Sequence, residues 1–271
     1  MSAHPQSHRD PAEARRPNRR ALLLLMMTLV GLATAAAAQK EDPYGGSIHQ
    51  EEGHQASVGR VEERTLLVSR VGKHVRHLVF TPSAYNADGE ETWPLIVGLH
   101  GTAGNPEQVM GFQRLRELAE RYGYLLACPH SSGVGELPQR YVLRVLADTE
   151  ERYRVDPERI FLLGFSRGGA GVWALGADHA DRWAGLAPIS PATGGDPAPL
   201  ERMRDLPIIV VLGDRDKAVS GGAVRRWVRR MGQLDMRHQF VELPGLGHDL
   251  SRVNFLPLVF EFFEGVQRSP G

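Results

Sequence analysis

The sequence predicts an α/β fold, with a mostly parallel central sheet, helices on both faces and an antiparallel hairpin at the start. Short continuous apolar runs, typical of strands buried on both faces, alternate with longer stretches of helical spacing, and that order produces parallel βαβ units. Two runs in which apolar and polar residues alternate precede them and predict the hairpin. With 271 residues and 42% hydrophobic composition, the chain has enough material for one large domain.

The elements follow from these patterns in chain order. The sequences RTLLVSR and HVRHLVFTP are rich in β-branched residues and form the hairpin, with its turn near Val71–Lys73. Continuous apolar runs predict the remaining strands, at 94–101, 124–129, 156–166 after an initial turn, 183–190, 206–214 and 238–245. Apolar residues at helical spacing predict helices over 106–123, 140–155, 168–180, 221–234 and 253–267.

A separate segment precedes this domain. The basic sequence RRPNRR is followed by the apolar run 21–38, which ends in small residues, and this pattern is typical of a secretory signal peptide. Cleavage is expected near Ala38–Gln39, followed by a flexible leader over 39–60 and the α/β domain over 61–271. The alternative is an uncleaved membrane anchor, although the run is short and rich in alanine for a stable span. We expect a secreted or periplasmic protein without a stable membrane anchor.

Charge and cysteine content narrow the classes of function. The formal net charge is zero, which gives no reason to expect a nucleic-acid partner. Cys128 is the single cysteine, so no internal disulfide is possible, and its apolar surroundings predict a buried hydrophobe. His74 and His77 lie three apart on a predicted strand and face opposite sides, so no metal site is predicted.

The stretch GFSRGG lies where a predicted strand ends and a predicted helix begins. A sharp turn there forces a strained backbone, and glycines at 164 and 168 remove Cβ atoms that would collide across it. Ser166 then projects from the sheet edge at a helix N-terminus, which favours negative charge. The sequence therefore predicts that Ser166 is a nucleophile; the alternative is a tight turn with an incidental serine.

A serine nucleophile requires a base and a carboxylate to orient that base. His248 lies in the glycine-rich loop after the last predicted strand. Asp214 and Asp216 both follow the strand before it, giving the chain order serine, acid, histidine. Asp216 is favoured, because a residue directly after the strand is expected to accept N–H bonds from its own loop.

The tetrahedral intermediate of acyl transfer also needs N–H donors for its oxyanion. One expected donor is the backbone N–H of Arg167, directly after the serine, and the other is that of Thr102 in the loop after the strand PLIVGLHG. His100 is expected to support this loop rather than to act as a second base.

These motifs together resemble α/β-hydrolase esterases, most of all the secreted polyhydroxybutyrate-depolymerase, feruloyl-esterase and dienelactone-hydrolase-like group. The resemblance extends over about 75–267 and rests on the segments PLIVGLHGTAGNPEQV, YRVDPERIFLLGFSRGGAGVW, LPIIVVLGDRDKAV and LPGLGHDL. It implies the α/β-hydrolase fold, a triad of Ser166, Asp216 and His248, oxyanion donors at Thr102 and Arg167, and ester hydrolysis through an acyl-enzyme without metal or cofactor. The cysteine pairs and polymer-binding domain of many secreted members are not expected here, which weakens the case for polymeric substrates.

The connections predict little or no cap over the site. The segments 190–205 and 131–140 are the largest candidate lids, and both are too short for a multi-helix cap. An open site suits a small ester or an exposed acyl group. Three alternatives remain: a peptidase, an acyltransferase or haloperoxidase-like activity on the same triad, and a non-catalytic binding protein of this fold.

Overall fold

One mixed sheet of eight strands organises the computed structural model, which describes residues 59–68 and 72–268. The predicted signal peptide 1–38 and the leader up to residue 58 lie outside the described residues. The sheet order is β1-β2-β4-β3-β5-β6-β7-β8, with β1–β2 and β2–β4 antiparallel and the other pairs parallel. The strands are β1 Arg60–Val68, β2 Lys73–Thr81, β3 Trp93–Leu99, β4 Leu125–Pro129, β5 Val155–Phe165, β6 Gly185–Ile189, β7 Ile208–Gly213 and β8 His238–Leu243.

Helices cover both faces of this sheet, as the sequence predicts. They are α1 Pro106–Gly111, α2 Leu115–Tyr122, α3 Glu136–Arg152, α4 Arg167–Asp178, α5 Gly221–Gln233 and α6 Leu256–Glu264. The buried residues form two clusters, one that includes α3, α4 and α5 and one that includes α1, α2 and α6. Consecutive strand residues alternate between them, which explains why each strand is a continuous apolar run. None of the helices in the described ranges is long and apolar enough to cross a membrane.

The helix predicted over 106–123 is broken in the structure. α1 ends at Gly111, and Gln113 and Arg114 then adopt left-handed backbone angles, with φ of 48° and 61°. The chain resumes a right-handed helix in α2 and stops at Gly123, whose φ of 73° is the left-handed cap expected of a glycine. The single-helix prediction was wrong because helical spacing continues across the break and no proline marks it.

Two other boundaries differ from the sequence prediction. α3 begins at Glu136, so the second half of the candidate lid 131–140 is helical. Gly135 enters this helix with φ of 96°, and Pro138 lies in the first turn, where its missing N–H costs little. β5 begins at Val155 and takes in residues predicted to form a turn.

The parallel strands end at one edge of the sheet, and this edge holds the candidate site. Leu99 at the end of β3 lies beside Gly164 of β5, and Phe165 at the end of β5 lies beside Ile189 of β6. β7 and β8 likewise end together at Gly213 and Leu243. Loops that follow these strands therefore meet over the same edge, the usual place for ligands in such sheets.

Candidate active site

Ser166 occupies a strained turn between β5 and α4. Its φ of 56° and ψ of −113° are unusual for a residue with a side chain, and such angles persist only where the surroundings enforce them. Here the Ser166 N–H donates to the Ile189 carbonyl at 2.9 Å. The Ser166 carbonyl accepts from the N–H groups of Ala170 at 3.1 Å and Ala192 at 2.9 Å. The turn is thus tied to β6, to the loop after β6 and to its own helix.

The glycines around Ser166 permit contacts that no other residue allows. A Cβ atom at Gly164 would lie 2.4 Å from the carbonyl oxygen of Gly168, on the other side of the turn. A Cβ atom at Gly168 would lie 2.3 Å from the carbonyl oxygen of Leu99. At Gly169, it would lie 2.8 Å from Cα of Pro191. The start of α4 is therefore packed directly against the ends of β3 and β6.

His248 connects the serine to a carboxylate. Its Nε2 lies 3.0 Å from Ser166 Oγ, and its Nδ1 lies 2.8 Å from Asp216 Oδ2. In the neutral tautomer with a proton on Nδ1, the imidazole donates to Asp216, and its Nε2 accepts from the serine hydroxyl. The three side chains proposed from the sequence are thus joined in one hydrogen-bonded row, with the geometry that a general base requires.

Asp216 is held as an anion. Burial opposes its ionisation, but hydrogen bonds from His248 and from the N–H groups of Val219 and Ala218 outweigh burial, so its pKa lies below the ordinary value. The two N–H groups reach Oδ1 at 3.2 and 2.9 Å, which leaves Oδ2 for His248. The side chain of Asp216 is fully buried, whereas 27% of the His248 side chain is exposed.

Asp214 has a different function from the one expected. The sequence predicts that it binds N–H groups of its own loop, but its Oδ1 accepts from the N–H of Gly245 at 2.7 Å, in the loop that carries His248. The adjacent backbone makes two more links to the same region, from Asp214 N–H to the Leu243 carbonyl at 3.1 Å and from Arg215 N–H to that of Leu246 at 2.9 Å. Asp214 therefore joins the acid loop to the histidine loop.

Phe165 supports the imidazole of His248, a role that was not predicted from the sequence. Its ring centroid lies 4.9 Å from that of His248, with the two rings tilted by 35°. The ring of Phe112 packs on that of Phe165, with 5.3 Å between their centroids. A signal for Phe165 was its position directly before Ser166, whereas Phe112 has none in the sequence, because it lies at the unpredicted helix break.

The predicted oxyanion donors lie beside Ser166. Thr102 lines the same cleft as Ser166. Arg167 is the first residue of α4, and the first N–H groups of a helix have no acceptor within it. His100 Nδ1 lies 2.8 Å from the carbonyl of Gly101, consistent with support of the loop, and burial lowers the His100 pKa, so the ring stays neutral. The oxyanion assignment itself stays a prediction.

The candidate lid 190–205 is anchored to the body of the protein. The indole N–H of Trp173 donates to Thr193 Oγ1 at 3.1 Å, and that of Trp227 donates to the carbonyl of Gly194 at 3.0 Å. These tryptophan rings contact each other at 4.8 Å between centroids. Within the described ranges this segment contains only one short 3₁₀ helix, Ala198–Met203, so no helical cap covers the serine here.

A cleft of about 460 Å³ opens beside Ser166. Its size lies within the range of small-molecule sites. It is lined by Leu99, His100, Gly101, Thr102, Gly104, Gln108, Val109, Phe112, Leu163, Phe165, Ser166 and His248.

Metal-ligating side chains do not cluster within residues 59–68 and 72–268. This part of the chain brings no three His, Cys, Asp or Glu side chains together in a group that could hold a metal ion. Cys128 is fully buried, and burial raises the pKa of its thiol far above the ordinary value. A buried thiol with a raised pKa is a poor nucleophile, so Cys128 is not a candidate for the chemistry at Ser166.

Comparison with known proteins gives matches that are mostly named esterases. A structure that bears the name dipeptidyl aminopeptidase IV, from Bacteroides ovatus, also matches, with a TM-score of 0.61 at 13% identity, covering 77% of this chain and 36% of that one. No protein-family model matches the chain. Over 139 residues the chain is 30% identical to a protein of Nocardia uniformis subsp. tsuyamanensis that bears the name esterase NocK. The match covers 45% of this chain and 40% of that relative, so the chain spans well under half the length of the relative.

Solved structures give longer matches. A thermostable esterase superimposes with a TM-score of 0.68 at 20% identity, covering 77% of this chain and 63% of that one. A ferulic acid esterase, AmCE1/Fae1A from Anaeromyces mucronatus in complex with ferulic acid, gives a TM-score of 0.65 at 14% identity, covering 82% and 95%. At these identities the likeness shows the fold, and it confirms the fold class predicted from the sequence.

Proposed function

We propose that this chain, a member of the α/β-hydrolase family of serine esterases, hydrolyses carboxylic esters through an acyl-enzyme on Ser166. The observation that carries the proposal is the row from Asp216 through His248 to Ser166 Oγ, with hydrogen-bond distances of 2.8 and 3.0 Å. The esterase names of its relatives favour an ester over an amide as the scissile bond.

Acylation begins when His248 Nε2 accepts the hydroxyl proton of Ser166 and the serine oxygen attacks the ester carbonyl carbon. The carbonyl oxygen becomes an anion, which the N–H groups of Thr102 and Arg167 stabilise in our assignment. Asp216 stabilises the imidazolium that has formed. When the intermediate collapses, the bond to the alcohol oxygen breaks, and His248 gives its proton to that oxygen.

Deacylation repeats these steps with water. A water molecule donates a proton to His248 Nε2 and attacks the acyl carbon, and the second tetrahedral intermediate expels the Ser166 oxygen, which regains the proton. The products are a carboxylic acid and an alcohol, and the enzyme returns to its starting state. The exposed edge of His248 gives this water a route from solvent.

The test is a Ser166→Ala variant assayed on p-nitrophenyl acetate, butyrate and octanoate. We expect kcat/KM to fall by about 1,000-fold or more, because the nucleophile is lost while the fold remains. A fluorophosphonate probe should label the wild type and not the variant. Ser83→Ala, an exposed serine between β2 and β3, is the control and should keep labelling and turnover.

Each contrary result points to a different conclusion. Labelling that survives in Ser166→Ala would refute the nucleophile. A wild type that neither turns over esters nor takes the probe would favour the non-catalytic binding protein. Preferential release of p-nitroaniline from p-nitroanilides over p-nitrophenol from the esters would favour a peptidase, and ester formation with added alcohols in place of hydrolysis would favour an acyltransferase.

We also propose that the chain is exported to the periplasm or beyond the cell. The proposal rests on the basic and apolar pattern of residues 1–38. The mature protein isolated from its host should begin near Gln39. A mature protein that begins at Met1, or activity confined to the cytoplasm, would contradict export.

A further inference from the structure

The chain breaks its helix at Gln113 and Arg114, next to the cleft of Ser166. Two consecutive residues with side chains adopt left-handed angles there, which is uncommon outside glycine. Strained residues of this kind persist where surrounding contacts enforce them, and they cluster at functional sites. The break lies beside the cleft of Ser166, since Phe112, the residue before it, is one of the lining residues.

Contacts on both sides of the break fix its position. The side-chain amide of Gln113 donates to the carbonyl of Leu250, in the loop that carries His248. The ring of Phe112 lies 5.3 Å from that of Phe165 and 6.1 Å from that of Phe255. Through these contacts the break turns Phe112 out of the helix line and holds it in the wall of the cleft.

The lining of the cleft is mainly apolar by surface, although it includes the polar side chains of His100, Thr102, Gln108, Ser166 and His248. Five of its side chains are hydrocarbon, and no Asp, Glu, Lys or Arg is among the described residues that line it. A substrate group with a formal charge would lose hydration there without meeting a side chain of opposite formal charge among the lining residues. The volume of 460 Å³ is far more than an acetyl group needs, since a water molecule has about 30 Å³ in the liquid. The cleft therefore suits an uncharged apolar chain.

The chemistry assigns this cleft to the acyl half of the substrate. The acyl group stays attached to Ser166 between the two steps, whereas the alcohol leaves and water must reach His248 in its place. An apolar pocket that kept the alcohol would hinder that exchange, and a pocket for the acyl chain would not. The exposed edge of His248 serves the departing alcohol and the arriving water.

We propose that this cleft is the acyl pocket, that it accepts uncharged acyl chains of medium length, and that Phe112 limits the length of the chain. The proposal rests on the esterase function proposed above. Medium length means about four to eight carbons, which fits a small-molecule pocket of this size. Phe112 is thus a specificity-determining residue of the proposed reaction.

The experiment measures kcat/KM on p-nitrophenyl acetate, butyrate, octanoate and dodecanoate. Each buried methylene should raise the wild-type value about fourfold up to the limit of the pocket, and the value should fall for dodecanoate. In Phe112→Ala the dodecanoate-to-butyrate ratio should rise by about tenfold or more. Val109→Phe, which fills the same cleft, should lower the octanoate-to-acetate ratio.

Phe262→Ala is the matched control, because Phe262 is a partly buried aromatic residue on α6 that does not line the cleft. Its chain-length profile should equal that of the wild type. Phe112→Leu, which preserves an apolar side chain, is used if the alanine variant does not fold, and should shift the profile in the same direction by less.

The outcomes separate this proposal from the one on which it rests. If the wild type hydrolyses esters but Phe112→Ala and Phe262→Ala have the same profile, the acyl pocket is refuted and the esterase function stands. A second series, acetate esters of alcohols of increasing length, should be indifferent to Phe112→Ala. A shift in that series alone would assign the cleft to the alcohol and overturn the proposal. No turnover of any ester would overturn both.

Discussion

Lowering the pH from 7 to 4 should destabilise the fold through one buried histidine. His77 on β2 is fully buried, and in the described part of the chain neither ring nitrogen has a hydrogen-bond partner. The nearest carboxylate oxygen, Asp148 Oδ2 on α3, lies 3.8 Å from its Nε2. That carboxylate is already bonded to Arg64 at 3.1 Å and to Arg152 at 2.9 Å. Protonation of His77 would therefore place a poorly compensated charge in the core.

Burial lowers the pKa of His77 to about 4, from an ordinary value near 6.5. The negative charges of Asp148 and Glu62 raise this pKa, whereas the positive charges of Arg64 and Arg144 lower it further. The unfolded chain therefore binds the proton at a higher pH than the folded chain. The stability that the fold gains from keeping His77 neutral is present above pH 6.5 and is lost as the pH falls toward 4. Linkage gives a loss of about 2 kcal/mol by pH 5 and about 3 kcal/mol by pH 4.

The assay is urea unfolding of wild type and His77→Leu at pH 7, 5 and 4. At pH 7 an apolar replacement leaves no unpaired polar atom, so the variant should be about as stable as the wild type. Between pH 7 and 4 it should lose about 3 kcal/mol less of its unfolding free energy. His74→Leu, which removes an exposed histidine of the same strand, should follow the wild type.

Parallel losses in wild type and His77→Leu would refute the argument, since other groups would then carry the acid sensitivity. The difference between variants is the informative quantity, because carboxylates elsewhere in the chain titrate over the same range and cancel in the comparison.

Three further predictions concern the site and its surroundings. Asp216→Asn should lower kcat by about 100- to 10,000-fold, because His248 loses its orienting anion, whereas Asp214→Asn should cost about 1 kcal/mol of stability and little turnover. Cys128 should resist a thiol reagent until the protein is unfolded by urea, since burial raises the pKa of its thiol. Gly213→Ala should lower kcat, because its Cβ would lie 2.3 Å from a backbone oxygen of the histidine loop.

These predictions have clear contrary results. Turnover lost in Asp214→Asn but kept in Asp216→Asn would reverse the acid assignment, with melting temperatures separating stability from catalysis. Rapid modification of native Cys128 would show that the thiol is accessible. Full activity of Gly213→Ala would show that the histidine loop tolerates displacement; Gly222→Ala, where a Cβ meets nothing within 4 Å, is its control.

The sequence was sufficient for the sheet and for the order of the chemical groups. Parallel strands bring their carboxyl ends to one edge, so residues in the loops after three apolar runs had to meet there. Ser166, Asp216 and His248 could be found in this way because each lies in a short loop after its strand. Glycines at the turn added a local signal that is readable without the fold.

Features that depend on contacts between residues far apart in the sequence could not be predicted from it. The two left-handed residues of the break, Gln113 and Arg114, are neither glycine nor proline. Their angles are enforced by the histidine loop and by packing of Phe112 on Phe165 of β5 and on Phe255, the residue before α6. The partner of Asp214 was misassigned for a similar reason, because Gly245 approaches it only when β7 and β8 pair. The burial of His77 against Asp148 also requires α3 to cover the hairpin.

His248 lies in the loop after β8, which is the last strand in the sheet order, and this position has a consequence for how the site assembles during biogenesis. Ser166 precedes its base, His248, by 82 residues, and that base follows β8, the last strand described. During synthesis or passage through a translocation channel, the chain carries the serine turn long before the imidazole can join it. The triad geometry therefore requires β8 to pair with β7, and under the proposed function incomplete chains should be inert toward the esters of the compartment in which they are made.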